Sequence, residues 1–261
     1  MSRIADTFDR LGETPAFVAY LMGGDPDVAG SLELMRGMPG AGVDIIELGM
    51  PFTDPAADGP TIEEAGLRSL KAGTVLEDIL GMVRDFRTGD AHTPVILMGY
   101  ANPVHHRGYA RFAADMAEAG ADGAIIVDLP PEEDGELRAA FEAHGLALIR
   151  LATPTTDAAR LPRVLSGTRG FVYYVSMTGI TGSAEAEAAG LSERVAAVRQ
   201  TSGLPVVVGF GIKTPARAAE IAALADGVVV GSAIVAEHHG GGLGAALDLT
   251  RALADGVHGT R

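Results

Sequence analysis

Short apolar runs rich in Val, Ile and Leu alternate with amphipathic, Ala-rich stretches from one end of the chain to the other, and no other feature restricts the fold as much. A run without polar alternation belongs to a strand covered on both faces, whereas an apolar stripe at helical spacing belongs to a helix covering a sheet. Eight strand-like runs occur, at residues 17–21, 43–48, 95–99, 123–127, 147–151, 171–175, 205–209 and 228–231. Between them the helical segments are 27–38, 61–72, 75–86, 109–119, 132–144, 157–165, 191–201 and 214–224. Such alternation places strands in parallel, because each helix carries the chain back to the same end of the sheet. The pattern over 261 residues predicts an α/β fold, a single (β/α)8 TIM barrel spanning 1–261. Segment 2–11 reads as an extra N-terminal helix closing the barrel's N-terminal end, and 242–254 as the last outer helix. An open doubly wound sheet is the alternative, but it calls for a GxGxxG fingerprint after the first strand, and that is missing. No Ser/Gly-rich linker divides the chain. Thr214 before Pro215 sets up a capped helix start, and Thr61 with Glu64 has the spacing of a capping box.

Composition removes several classes of function. With 20 Lys and Arg against 34 Asp and Glu, the net charge of −14 repels nucleic acid and anionic lipid. The absence of cysteine excludes disulfides, thiolate metal sites and a cysteine nucleophile, and fits a reducing compartment. No apolar run reaches the roughly 18 residues of a membrane span, and the first residues lack a signal-peptide core, so the expected location is cytoplasmic. The adjacent pairs His105 and His106, and His238 and His239, lack metal-ligand spacing, so no metal is expected.

A barrel of this type carries its chemistry at the C-terminal ends of its strands. Glu47 ends the apolar run of VDIIELGMPF, where a charge must meet a partner or face a cavity, and Asp58 follows in FTDPAADGP. Asp54, before Pro55, reads as a turn residue. Three glycine-rich turns follow the sixth, seventh and eighth runs: GITGS at 179–183, GFG at 209–211 and GS at 231–232. Glycines at three adjacent strand ends let backbone amides approach an anion, and the segment opening at Ser232 aims a helix N-terminus at the same place, so a phosphate site is expected. Tyr20, Met98, Tyr100, Leu129, Tyr173 and Phe210 are candidates for an apolar mouth.

The stretches FVAYLMGGDPD, DIIELGMPFTDPAADGPTIEEAGLRSL, GYANPV, DGAIIVDLPPEE, FVYYVSMTGITGS, GFGIKTP and VVVGSAIV resemble the tryptophan synthase α subunit family over nearly the whole chain, and ELGxPFxDPxADGP is the most specific of them. The resemblance implies a (β/α)8 barrel that cleaves indole-3-glycerol phosphate to indole and glyceraldehyde 3-phosphate. It implies no cofactor in this chain and a β subunit partner carrying pyridoxal phosphate in an α2β2 assembly. Glu47 and Asp58 match the family's catalytic carboxylates; Gly182, Gly211, Gly231 and Ser232 match phosphate-binding positions; Thr181 matches a mobile-loop threonine; Tyr100 and Tyr173 match pocket tyrosines. Tyr20 stands where many relatives have Phe, and Met177 where several have a basic or small residue. The resemblance also implies that the Asp58 loop and an ANPV loop at 101–104 face the partner.

That reaction needs a proton delivered to indole C3, a positive charge tolerated at the ring nitrogen and a hydroxyl proton removed. Glu47 is expected to serve as general acid and base with a raised pKa, and Asp58 to remain ionised and accept the indole N–H. Residues 179–190, small and acidic, are expected to form a lid. Other readings are a Schiff-base aldolase, a flavin-binding barrel and a non-catalytic activating subunit. The two lysines, Lys71 and Lys213, are not at strand centres, and a subunit kept only for its surface has no need of the Glu47 and Asp58 pair.

Overall fold

The structure is a computed structural model describing residues 2–176, 184–209 and 211–259. Its strands are β1 (Ala16–Met22), β2 (Ile45–Gly49), β3 (Val95–Gly99), β4 (Gly123–Ile126), β5 (Ala147–Leu148), β6 (Arg150–Ala152), β7 (Val172–Val175), β8 (Val206–Gly209) and β9 (Gly227–Val230). The α-helices are α1 (Arg3–Leu11), α2 (Val28–Gly37), α3 (Pro60–Lys71), α4 (Leu76–Arg87), α5 (Ala101–Arg107), α6 (Tyr109–Ala119), α7 (Gly135–Ala143), α8 (Leu161–Val164), α9 (Ala184–Ser202), α10 (Pro215–Ala222) and α11 (Ser232–His258).

The strands pair in parallel in the order β5-β4-β3-β2-β1-β9-β8-β7-β6. The two outermost strands, β5 and β6, are separated by Ile149 alone, so the sheet curls round until its edges meet in one stretch of chain. The fifth strand expected at 147–151 is thus divided. Its first half pairs with β4 and its second with β7, and the ladder changes partner at Ile149. The result is a nearly closed parallel barrel ringed by helices, as the alternation predicts.

Side chains along each strand divide by the two-residue period. Val18, Ile45, Ile96, Ile125, Ile149, Phe171, Val207 and Val229 form one buried cluster, the barrel interior. Their neighbours Phe17, Ile46, Leu97, Ala124, Val172, Val208 and Val228 pack outward with the helices. Each fully buried aliphatic side chain of this kind contributes about 1.5–3 kcal/mol against its exposed state. Helix α1 plugs the N-terminal end, where Ile4 joins the interior cluster and the Phe8 ring lies 6.2 Å from that of Phe171.

Local chemistry sets the helix starts. Asp27 accepts from the Gly30 N–H at 2.8 Å to cap α2, and Thr214 accepts from the Arg217 N–H at 3.3 Å to cap α10, with Pro215 as first helical residue. The capping box expected from Thr61 and Glu64 does not form; Gly59 is the cap and Pro60 opens α3, since its ring already holds the helical φ and it has no N–H to satisfy. Residues 101–104 open helix α5 instead of forming a loop, with Pro103 accommodated in the first turn. Helix α9 begins at Ala184, so residues 184–190, expected in a lid, are helical; an Ala and Glu run favours that state. The rest of the expected lid, with Met177, lies outside the described residues. At Gly242, φ of 79° breaks α11 into the two pieces that the sequence implies.

Two buried carboxylates brace the N-terminal face. Asp122 receives Arg3 at 3.0 Å, Arg87 at 2.8 Å and the Val95 N–H at 2.8 Å, tying α1 and α4 to β3. Asp44 meets Arg10 at 3.1 Å, His258 at 2.8 Å and the Phe17 N–H at 2.9 Å. Burial alone would raise the Asp44 carboxyl, but the hydrogen bonds from His258, Phe17 and Arg10 prevail and hold it below its ordinary value.

Where strands approach most closely there is no room for a side chain. A Cβ at Gly123 would lie 2.3 Å from the Ala147 carbonyl oxygen, whereas one at Gly135, the first residue of α7, would meet nothing within 4 Å. Gly123→Ala should therefore push β4 away from β5 and cost about 1–3 kcal/mol, read as a lower urea midpoint, while Gly135→Ala should stay within about 0.5 kcal/mol of the parent.

Candidate active site

The inward period of the strands brings one further layer of residues to the C-terminal end, Tyr20 from β1, Glu47 from β2, Met98 from β3, Tyr173 from β7 and Gly231 just after β9, above Val229 of the interior cluster. These line a cavity of about 320 Å³. Ladder register sets Tyr20 directly beside Glu47, residues that are far apart along the chain. Both tyrosines fit because the neighbouring position has no side chain. A Cβ at Gly49 would stand 2.1 Å from the Tyr20 hydroxyl, and one at Gly209 would stand 2.3 Å from that of Tyr173.

Glu47 is 2% exposed, and its Oε1 has no hydrogen-bond partner among the described residues. Burial, followed by the charge of Asp58, lifts its carboxyl from the ordinary 4.5 to about 8. At neutral pH the group is a neutral acid, able to donate a proton within the cavity. Tyr20 and Tyr173 are raised well above the ordinary tyrosine value, chiefly by burial and secondarily by these carboxylates, so they remain neutral beside it.

Asp58 reaches the same cavity from the loop between β2 and α3 and is half-buried. Burial raises its carboxyl, opposed by a hydrogen bond from the Tyr100 hydroxyl and aided by the charge of Glu63. Tyr100 also accepts the Ala57 N–H at 3.1 Å and stacks on Phe52 with ring centroids 5.3 Å apart. Its own hydroxyl, pushed up to about 12 mainly by burial, keeps the proton it gives to Asp58. Tyr100 therefore stands behind Asp58 and holds its loop.

The cavity is also lined by Gly211, Ile212, Lys213, Gly231 and Ser232, from the turns after β8 and β9. Gly231 is the cap residue of α11 and Ser232 its first residue; among the described residues no side chain caps this helix, and both residues line the cavity, so its positive end faces it. Gly211 has φ of 73°, a left-handed turn that suits glycine.

Of the residues singled out in the sequence, Tyr20, Glu47, Asp58, Met98, Tyr173, Gly211, Gly231 and Ser232 line this one cavity. Thr181, Gly182 and Phe210 lie outside the described residues. Leu129 is a correction: it lines a separate recess with Arg150 and Thr153, because β4 ends at Ile126 and the chain turns away from the axis before reaching it. Val229, Ile62, Ile212 and Lys213 were not anticipated as lining residues. Val229 has the inward parity of Gly231 and was legible by that rule, whereas Ile62 and Lys213 arrive on loops and helix starts, which have no such period. Among the described residues no group of three or more His, Asp or Glu is placed to hold a metal ion, and no helix is long and apolar enough to cross a membrane.

A parallel βα-barrel whose C-terminal cavity is lined by a buried acid and by a helix start has the architecture in which TIM-barrel enzymes place their active sites, frequently with a phosphate site after the last two strands. Within that class the family is settled by comparison: a profile of the family described as tryptophan synthase alpha chain matches residues 9–253, and the chain belongs to that family. It is 59% identical over 221 residues to the tryptophan synthase alpha chain of Caulobacter sp. (strain K31), an alignment covering 85% of this chain and 80% of the relative. Among solved structures it is similar to the tryptophan synthase subunit alpha of Legionella pneumophila str. Paris, with TM-score 0.91, 39% identity and 98% of each chain covered. It is likewise similar to Mycobacterium tuberculosis tryptophan synthase, with TM-score 0.90, 40% identity and 98% of each chain covered. The reaction is the carbon–carbon lyase step of tryptophan biosynthesis that cleaves indole-3-glycerol phosphate to indole and glyceraldehyde 3-phosphate, and the family implies a β subunit as partner.

The raised acid has a measurable cost. An unfolded Glu47 ionises near its ordinary 4.5, whereas the folded group keeps its proton up to about 8. The stability this group leaves intact at low pH is therefore lost progressively as pH rises from one value to the other. Glu47→Gln cannot ionise, so its melting temperature relative to the parent should climb between about pH 5 and pH 8 and then level off. A difference that stays constant over that range would contradict the buried neutral acid.

Proposed function

We propose that Glu47 is the general acid and base of indole-3-glycerol phosphate cleavage, that Asp58 stabilises the indole nitrogen, and that the phosphate is held at the opposite end of the cavity by Gly211, Gly231, Ser232 and the start of α11. The observation that carries this reading is the buried, proton-holding carboxyl of Glu47, its Oε1 without a hydrogen-bond partner among the described residues, in a cavity shared with a second carboxylate.

The atoms balance as follows. The Glu47 carboxyl gives its proton to indole C3, which leaves positive charge on the ring nitrogen. Ionised Asp58, held by Tyr100, accepts the ring N–H and stabilises that charge. The glycerol hydroxyl next to the scissile bond then returns a proton to the Glu47 carboxylate. The bond from C3 to the glycerol carbon breaks, its electron pair re-forms the aromatic ring, and the carbon becomes the aldehyde of glyceraldehyde 3-phosphate. One proton is spent and one recovered, so Glu47 ends as it began.

Two carboxylates can divide the work because their surroundings differ: Glu47 is enclosed by strand residues, while Asp58 is only half-buried and receives a hydrogen bond. Tyr20, Met98 and Tyr173 supply a flat apolar bed for the indole. Phosphate binding at the far end spends its energy on orienting the scissile bond rather than on the bond itself. We read Thr181 and Gly182, by their place in the family motifs, and Phe210, as an apolar residue of the mouth, as completing the substrate contacts. The whole chain is taken as one barrel domain acting in the cytoplasm within an α2β2 assembly, with pyridoxal phosphate in the partner β chain and no cofactor in this one.

Glu47→Gln should lower kcat about 10²–10⁴-fold, the usual worth of a positioned acid or base, and Asp58→Asn about 10²-fold or more. For the parent, kcat/KM should fall as pH rises through about 8, the value at which Glu47 loses its proton. Near-parental turnover by both variants would remove the assignment.

A further inference from the structure

Among the described residues lining the cavity one is a cation, Lys213. The chain has only one other lysine, Lys71 at the end of α3. The backbone of Lys213 is held on both sides: Ile212 before it is 3% exposed and packs in the core, and Thr214 after it caps α10. The side chain is exposed and makes no ion pair with a described residue, so its ammonium is not already committed. It lines the same cavity as Gly211, Gly231 and Ser232, with Gly211 two residues away in the chain.

The electrostatics of the site leave a deficit there. A helix start offers a partial charge of roughly half a unit, while a phosphate monoester carries about −1.5 to −2. The same cavity holds Asp58, and the chain as a whole carries −14, so an incoming phosphate meets net repulsion until a cation offsets it. Backbone amides hydrogen-bond the phosphate but supply no full charge. A lysine on a flexible four-carbon stem serves as a point charge. An exposed lysine also lacks the apolar enclosure that makes an amine a Schiff-base nucleophile, so this charge is available for binding and not for covalent chemistry.

We propose that Lys213 is the charge partner of the substrate's phosphate and thereby sets the preference for a phosphorylated over an unphosphorylated indole-glycerol substrate. The inference rests on the reading that the Gly211, Gly231 and Ser232 end of the cavity receives the phosphate.

The test compares the parent with Lys213→Gln and Lys213→Arg in steady-state cleavage of indole-3-glycerol phosphate, with inorganic phosphate as competing probe and unphosphorylated indole-3-glycerol as second substrate. Lys213→Gln should raise KM and weaken phosphate inhibition each by about tenfold, with kcat within about twofold. It should flatten the fall of kcat/KM with ionic strength and leave cleavage of the unphosphorylated substrate unchanged. Lys213→Arg should recover most of the loss, which a purely structural role would not predict. If phosphate competes in the parent but KM and inhibition are unaltered in Lys213→Gln, or if kcat falls while KM holds, the role of Lys213 is overturned and the phosphate end stands. If phosphate does not compete even in the parent, the phosphate reading itself fails and this inference fails with it.

Discussion

A carboxylic acid on the inward face of a closed parallel barrel can neither reach bulk water nor borrow a backbone donor, because the ladder has already used the amides beside it. Glu47 is in that position. Its neighbours across the ladder are Tyr20 on one side and Ile96 on the other, and neither neutralises a negative charge. The protein accommodates the group by keeping it protonated, and this makes a carboxylic acid available near neutral pH. Other features of the cavity follow from the same placement. Gly49 and Gly209 give up their side chains so that two tyrosines can stand in the layer with Glu47, and the half-buried Asp58 arrives from a loop and not from a strand. A second carboxylate on an inward strand position would have faced the same burial and lost the difference that lets the two act separately.

Buried carboxylates in this barrel are treated in two ways. At the N-terminal face, Asp44 and Asp122 are surrounded by arginine, histidine and amide donors, and they hold strands to the helices around them. At the C-terminal face Glu47 has an oxygen without a partner among the described residues. A satisfied carboxylate adds stability and has no capacity left for a ligand, whereas an unsatisfied one costs stability and can engage one. Asp25, at the C-terminal face but paired with Arg68, belongs with the satisfied group.

Much of the architecture was legible in the chain because its signals are local. A strand buried on both faces writes itself as a Val, Ile and Leu run, and Asp27 and Thr214 announce helix starts in a few residues. The placement of Glu47 at the end of the second run was equally local, as was the glycine content of the turns after the last three runs. Errors arose where two local signals competed. Thr61 and Glu64 have the spacing of a capping box, yet Pro60 was the stronger instruction. Small, acidic residues at 184–190 suggested a loop, yet alanine and glutamate also favour a helix and the helix prevailed.

The sequence by itself determined the repeating unit, the strand positions, the family and the two carboxylates that stand out from an apolar background, because each rests on the chemistry of a few consecutive residues. The tertiary structure alone decided which of those residues share a layer. That Tyr20 lies beside Glu47, that the fifth strand splits its pairing at Ile149, that Leu129 turns away and that Lys213 reaches the cavity all depend on ladder register and on how the sheet closes. Register is settled by the simultaneous packing of strands distant in the chain, and a period of two residues says which face a side chain takes but not what it will meet there.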